Sequence, residues 1–420
     1  MPIARILIVK ILYVSQYFPP EMGAPAARAA ELSRHWARLG HDATVLTGFP
    51  NHPTGVVPEA WRSRLRHLRY TEIVDGVRVV RTWLWPLPNR KAHERIRNYT
   101  SFCISAAVSG LFLPRPDVII ATSPQLLCAL AGWCLAFSKR VPFVFEVRDL
   151  WPESLAAVGA GSEGTLLHRT LGAIAGFLYR RAHRIVVVSP AFKDHLLRYW
   201  NVPAEKISIV ENGVETGLFH LDPAAQEVRK QLQLEDRFLI CYIGTMGNAH
   251  GLDTLIAAAE ELQTALPNAM FLLIGEGAEK ERIVKLAAAR GLSNIRFLDQ
   301  QPHEQIPAYI SAADLCLVML KKTELFKTVI PTKLLEYMAC ERSVIVAVDG
   351  QARRIAEAAG AGVFVEPENT QALVKTILDL AADPERSRRM GASGRQYIVN
   401  NFSREKTARD YIAVLKEMGV

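Results

Sequence analysis

Phe238-Leu-Ile-Cys-Tyr-Ile-Gly-Thr-Met-Gly247 is a run of six largely apolar residues that passes without a break into a glycine loop. Such a run, of strand length and ended by glycine, reads as a strand buried on both faces. Leu252 to Ala265 follows with apolar residues at helical spacing. The alternation continues with strand Met270–Ile274, loop Gly275-Glu-Gly277, helix Glu279–Arg290 and strand Ile295–Leu298. Further strands are expected over Asp314–Met319 and Ser343–Val348. Buried strands alternating with helices predict a parallel sheet covered by helices on both faces.

The first half carries the same pattern. Lys10 to Ser15 is a strand-length run ending in Tyr17-Phe-Pro-Pro and Gly23; a helix from about Ala26 to Leu39 and a strand over Asp42–Thr47 follow. Strands are expected over Val77–Arg81, Asp117–Thr122, Pro142–Val147 and Arg184–Ser189, with helices over Arg95–Leu113, Leu126–Phe137 and Leu166–Ala182. The chain has 420 residues, and one hydrophobic core stops growing beyond about 250–300 residues. Two doubly wound α/β domains are therefore expected: residues 1–206, residues 207–403, and a last helix over 404–420 that has no strand of its own to follow.

Half of the residues are hydrophobic and 22% are charged, an ordinary globular composition. No segment reaches the ~18 consecutive apolar residues of a membrane span. The six cysteines (103, 128, 134, 241, 316, 340) are scattered, with no Cys-x-x-Cys or Cys/His pair at zinc spacing, so no structural metal is expected. The net charge of +8 is uneven: residues 1–205 carry 25 Lys and Arg against 14 Asp and Glu, whereas residues 206–420 carry 25 against 28. A basic first half points to an anionic partner such as a membrane surface, a phosphorylated lipid or nucleic acid. Much of it lies in Trp61–Arg69 and Arg90–Arg97, although Arg62, Arg64 and Arg66 also fit a plain solvated face.

Ligands of open α/β sheets bind beyond the carboxyl ends of the strands. There the second half places Gly244-x-x-Gly247, Gly275-Glu-Gly277 and Lys327-Thr-Val-Ile-Pro-Thr-Lys-Leu-Leu-Glu-Tyr-Met-Ala-Cys340. Pro331 and Thr332 are helix start signals, the threonine hydroxyl as a cap for a free N–H. Lys333 and Glu336 then share one face. A lysine is disfavoured at a helix N-terminus, so it either pairs with Glu336 or meets an outside anion. Taken together the set describes a nucleotide-diphosphate pocket, with loop amides and Lys333 on phosphates and Glu336 on ribose hydroxyls. It is not the Gly-x-Gly-x-x-Gly of dinucleotide folds. In the first half, Arg148-Asp149-Leu-Trp-Pro-Glu153 ends a strand, where Arg148 and Asp149 read either as site residues or as an ion pair within the loop.

The ordered set Tyr17-Phe-Pro-Pro with Gly23, Gly40-His-Asp-Ala-Thr-Val45, Val210-Glu-Asn-Gly-Val214, Tyr242-Ile-Gly244, Leu273-Ile-Gly-Glu-Gly277 and Pro331-Thr-Lys-Leu-Leu-Glu336 resembles the family 4 glycosyltransferases of GT-B architecture, over nearly the whole chain. Gly48-Phe-Pro-Asn-His-Pro and Arg148–Glu153 resemble the branch that transfers amino-deoxy sugars of the N-acetyl-fucosamine type in surface-polysaccharide assembly. The resemblance implies two Rossmann-like domains facing across a cleft. It implies transfer from a UDP-sugar with retention, no cofactor and no required metal, a lipid-linked saccharide acceptor on the first domain, and a last helix that returns to that domain. With the charge split, it implies a cytoplasmic protein in peripheral contact with the inner membrane surface, and not a nucleic-acid partner. The expected catalytic residues are Arg148, Asp149 and Lys333. The expected donor residues are Gly244, Thr245, Gly247, His250, Gly275, Glu276, Gly277, Thr328, Thr332, Lys333 and Glu336. An acceptor or phosphate loop is expected at Gly23, Ala24, Asn51 and His52.

The sequence departs from the family at two places. Thr328 stands where members commonly carry a glutamate that touches the donor sugar, leaving Glu324 or loop amides as stand-ins. His250 stands at a usual lysine position, and no arginine lies in Gly244–Asn248, leaving Lys333, helped by Lys327, as the main phosphate charge. The family-like text starts at Lys10, so residues 1–8 are expected to be an upstream extension. Two rival readings share the architecture: a UDP-sugar 2-epimerase, which acts without an acceptor, and a catalytically dead membrane-binding homologue, for which Thr328 is the best support.

Overall fold

A computed structural model describes residues 8–52, 54–88, 92–154 and 165–420. The chain forms two compact units, one of residues up to Asn212 together with Arg404–Val420, the other Gly213–Ser403. Of the expected upstream extension, residues 1–8, residues 1–7 lie outside the described residues.

The first unit holds eight strands: β1 (Lys10–Val14), β2 (Asp42–Gly48), β3 (Arg69–Val74), β4 (Val77–Thr82), β5 (Val118–Thr122), β6 (Phe143–Val147), β7 (Arg184–Val187) and β8 (Ile207–Ile209), in the order β3-β4-β2-β1-β5-β6-β7-β8. All pairs are parallel except β3 with β4. β5 and β6 are buried at every position, which is why they read as unbroken apolar runs. β3 alternates exposed and half-buried residues at the sheet edge. The sequence reading assigns no strand there, because the basic stretch before it hides a weak alternation. Arg64 in that stretch lies over the rings of Trp61 (4.6 Å) and Tyr70 (4.8 Å), so part of the expected anion-binding charge is spent on packing.

β8 corrects the expected boundary. It pairs with β7 in the first sheet, and the break falls at Asn212/Gly213 rather than at 206/207. Helix Arg404–Glu417 belongs to the first unit and buries Ala408, Tyr411 and Leu415 against helix Ala24–Arg38. Trp36, fully buried, meets Tyr411 edge-on at 5.2 Å and donates from Nε1 to the Ala408 carbonyl. Burying side chains of this size contributes about 1.5–3 kcal/mol each, which holds the last helix more firmly than the buried ion pair Arg404–Glu31 at 2.7 Å.

The second unit holds six parallel strands: β9 (Phe238–Ile243), β10 (Ala269–Ile274), β11 (Ile295–Leu298), β12 (Leu315–Met319), β13 (Ser343–Ala347) and β14 (Gly362–Phe364), in the order β11-β10-β9-β12-β13-β14. Strand order reverses direction between β9 and β12, the place where such sheets open a crevice. In the first unit the corresponding reversal lies between β1 and β5.

Candidate functional site

The loops beyond β9 and β10 are zipped together through their backbones. Gly244 N–H donates to the Ile274 carbonyl (2.9 Å), Met246 N–H to the Glu276 carbonyl (2.8 Å), and Glu279 N–H back to the Met246 carbonyl (3.0 Å). Only glycine allows this closeness. A Cβ on Gly275, whose φ is +144°, would lie 2.1 Å from the Gly244 carbonyl oxygen. Tyr337 pins the end of β9, its hydroxyl accepting from Ile243 N–H (2.8 Å) and donating to the Ile243 carbonyl (3.1 Å). Tyr337 lies on helix Thr332–Ala339, with Leu334, Leu335 and Met338 buried below it. That helix therefore fixes the glycine loop as well as presenting Lys333 to it.

Lys333 crosses to the same loop. Its Nζ sits 3.8 Å over the centroid of the Tyr242 ring, and a Cβ on Gly244 would lie 2.9 Å from it. The atom is shut off from solvent and has no hydrogen-bond partner. Burial pushes the ammonium down to about 7, and Glu336 pulls it only partly back. A buried donor without an acceptor is costly, and the cation–π contact returns only part of that cost. An anion laid on the Gly244 loop would relieve it. His250 stands beside this loop, its Nδ1 3.3 Å from the Gly247 nitrogen. Burial, then the charge of Lys333, pushes His250 down to about 3, so its ring is neutral.

The remaining donor residues take varied places. Thr245 is exposed, and its carbonyl accepts from the Tyr242 hydroxyl at 2.6 Å. Glu276 turns its carboxylate to Lys280 at 2.6 Å. The Thr328 hydroxyl donates to the Leu325 carbonyl at 2.6 Å, closing a turn. Glu324 and Lys327, the expected helpers, pair with each other at 2.6 Å. Gly350 (φ +80°) presses that turn from the loop after β13: a Cβ there would lie 2.1 Å from the Lys327 carbonyl oxygen. Thr332 does not cap its helix as expected. Pro331 occupies the N-cap position, with no side-chain cap bond, and its carbonyl accepts from Leu334 N–H at 3.0 Å.

In the first unit the strand-end loops are held by carboxylates. Glu21 accepts from the backbone N–H groups of Asn51 and His52, both at 2.9 Å, and burial pushes it up to about 7 against those bonds. The His52 and Tyr17 rings lie 4.9 Å apart. Asn51 and His52 thus form a latched loop, while Gly23 (φ +120°) and Ala24 open helix Ala24–Arg38 with no side-chain cap and no acid in the first turn. Glu146 is fully buried between Arg28 (2.8 Å) and the Tyr13 hydroxyl (2.6 Å). Burial raises it, but Arg28 and Arg148 more than offset that and hold it below the carboxylate range.

Arg148 and Asp149 point to different partners. Arg148 lies in the field of Arg28 and Glu146, its Nε and Nη1 buried without hydrogen-bond partners. Asp149 accepts from Trp151 Nε1 (3.3 Å) and from the Ser154 hydroxyl, and burial raises it. The reading of the two as an ion pair within the loop is replaced by this split. Trp151 positions Asp149. Sequence reasoning missed Glu21, Arg28, Glu146, Tyr242 and Tyr337. Glu146 was the findable one: an acid inside Phe143-Val-Phe-Glu-Val147 demands a buried cation. Among the described residues no three His, Cys, Asp or Glu side chains gather as metal ligands, and no helix is long and apolar enough to cross a membrane.

Comparison with known proteins agrees with this layout. Residues 224–397 match the family model "Glycosyl transferases group 1", and residues 23–213 match "Glycosyl transferase 4-like domain". The chain is 26% identical to the putative colanic acid biosynthesis glycosyl transferase WcaI of Escherichia coli, over 96% of this chain and 99% of the relative. Among solved structures it is similar to sucrose-phosphate synthase of Thermosynechococcus elongatus (TM-score 0.76, 21% identity, 97% of this chain and 98% of that one). It is also similar to Anabaena HepE in complex with UDP-glucose (TM-score 0.72, 18% identity, 97% and 100%). With both sheets doubly wound and both halves matched, the chain belongs to the family 4 glycosyltransferases of GT-B fold and is a transferase enzyme.

Proposed function

We propose that this enzyme transfers a sugar, an N-acetylated amino-deoxy hexose, from a UDP-sugar to a saccharide or lipid-linked acceptor during polysaccharide assembly, with retention and without a metal. The full-length similarity to WcaI supports the polysaccharide assignment, and the UDP-glucose complex of HepE supports a nucleotide-sugar donor. The observation that carries the donor site is Lys333 Nζ, buried and unpartnered against Gly244.

In this reading the amides of Gly244–Gly247 and Gly275–Gly277 and the Lys333 ammonium take the diphosphate. As the glycosidic bond to the diphosphate breaks, negative charge grows on the leaving oxygens, and fixed donors of this kind stabilise it without reorganising. Neutral His250 supplies a ring beside the phosphates, not a second cation. Glu336 takes the ribose hydroxyls. Arg148 and Asp149 act at the sugar or acceptor, and the Gly23–Ala24 and Asn51–His52 loops receive an acceptor group. The lipid-linked acceptor places the protein at the cytoplasmic face of the inner membrane, in peripheral contact.

The test is a screen of UDP-sugars against a lipid-pyrophosphate saccharide, with a control lacking acceptor. Transfer that depends on acceptor and falls at least about tenfold in both Lys333→Ala and Glu336→Ala is the expected result. Acceptor-independent conversion of UDP-N-acetylglucosamine would mark an epimerase instead, and unchanged transfer in both variants would sink the donor assignment.

A further inference from the structure

Helices Ala92–Leu111, Leu126–Lys139 and Leu166–Arg181 of the first unit pack side by side, the first against the second and the second against the third. The outward side of the first is apolar. Ile96, Ile104, Val108 and Leu111 are each at least 50% exposed, and Phe112 beyond them is 76% exposed. Three- and four-residue spacing puts Ile104, Val108 and Leu111 in one stripe. The second helix adds Phe137 near its end, 73% exposed. Single exposed apolar residues need no explanation, but a stripe along one helix does, with Phe112 and Phe137 exposed near the ends of the first two helices, which Lys139 Nζ joins by a bond to the Leu111 carbonyl.

The charge on the same helices is one-sided. Arg95, Arg97, Lys139, Arg169, Arg180 and Arg181 face a single acid, Glu94. Arg115 and Arg140 follow in the adjoining turns. Where the second and third helices end, a groove of about 620 Å³ opens, lined among others by Trp133, Phe137, Arg140, Pro142, Arg181 and His183. Its aromatic wall is rigid: Trp133 stacks on Phe137 at 5.7 Å and meets Phe177 edge-on at 4.7 Å. The groove precedes β6 and β7, at the opposite strand ends from the Arg148 loop.

We propose that this three-helix face docks onto an anionic lipid bilayer, with the exposed apolar side chains entering the acyl boundary and the groove receiving a headgroup phosphate between Arg140 and Arg181. The inference rests on the membrane contact in the functional reading above and, of the two basic stretches Trp61–Arg69 and Arg90–Arg97, keeps Arg95 and Arg97 of the second within a defined surface. Exposed apolar residues and an excess of cations on the same helices match the two layers such a bilayer offers, hydrocarbon and negative headgroups. A second copy of the chain fits poorly, because it would set this cationic face against itself.

Co-sedimentation of the full chain with vesicles tests this. Mixed phosphatidylcholine–phosphatidylglycerol vesicles should bind the protein about tenfold better than phosphatidylcholine alone. The triple variant Ile104→Gln/Val108→Gln/Phe112→Gln should lose about tenfold of that binding, while UDP affinity and melting temperature stay at wild-type values. Arg140→Glu/Arg181→Glu should lower binding to the anionic vesicles and leave the weak binding to neutral ones unchanged. Wild-type protein left in the supernatant, or undiminished binding by the triple variant, overturns the proposal. So does a wild-type dimer that the triple variant dissolves, since the face would then join two copies. UDP binding and transfer to a soluble acceptor report on the enzymatic reading separately. Vesicle capture with no UDP binding would end that reading and leave the surface standing.

Discussion

The two doubly wound units place charged groups at the same topological position and treat them in opposite ways. Beyond β1 and β6, buried charges find partners within the fold. Arg28 bonds Glu146, and Glu21 bonds two loop amides. Arg148 keeps two unpartnered nitrogens but shares the field of Glu146. Beyond β9, Lys333 has a ring face and no hydrogen-bond acceptor at all. The first arrangement makes rigid loops whose shape does not depend on a ligand. The second leaves a buried Nζ without a hydrogen-bond acceptor, the group that the proposed function gives to an incoming anion. A charge count therefore does not locate the buried ammonium without an acceptor: the first half carries the net positive charge, yet Lys333 lies in the second.

The strongest way to break this contrast is in the first unit. Glu146→Gln should destabilise the protein by about 3–5 kcal/mol, because it leaves Arg28 and Arg148 buried without a counter-charge. Denaturant unfolding reads this directly, and a loss under 1 kcal/mol would show that the cluster is solvated. In the second unit Gly275→Ala forces a Cβ into the Gly244 carbonyl. It should cost about 2–3 kcal/mol through strain and abolish UDP binding in whatever fraction remains folded. Lys333→Met behaves differently. It should lower UDP affinity by at least about tenfold, the scale of a charge-assisted bond, and leave stability equal or higher, because a buried unpaired amine disappears. A destabilised Lys333→Met would mean the lysine is structural. Tyr337→Phe is the mildest, about 1 kcal/mol from the lost clamp on Ile243, seen as a small drop in melting temperature and in UDP affinity together.

Much of the fold was legible in the sequence because the strands are buried on both faces and punctuated by glycine. Phe238–Ile243 has the bounds expected of it, and Lys333 and Glu336 lie where the parallel-strand rule puts ligand groups. Other features were hidden for physical reasons. β3 is an edge strand whose partner lies on one side only, so its alternation is weak. β8 is three residues long, and only its pairing with β7 shows that it belongs to the first sheet. Thr332 looks like a cap, yet Pro331 takes the cap position. Thr328, the departure from the family pattern, closes a local turn, a role that no spacing rule reveals. The pairing of Glu146 with Arg28, across 118 positions, needed the three-dimensional structure.

In the proposed function Lys333, largely deprotonated above pH 7, waits for a phosphate. Its value is pushed down from 10.5 to about 7 in the free protein. Between those limits the unfolded chain binds the extra proton, so this group makes the free protein more stable as pH rises through that window. An anion reverses the balance by restoring the charged form. Binding should therefore take up a proton, and UDP affinity should fall by up to about tenfold per pH unit above 7. Calorimetry of UDP binding near pH 8.5, repeated in buffers of different ionisation enthalpy, measures that uptake. Close to one proton per UDP is expected for the wild type and none for Lys333→Met. Zero uptake in the wild type, or equal uptake in both proteins, would rule out Lys333 as the phosphate ligand.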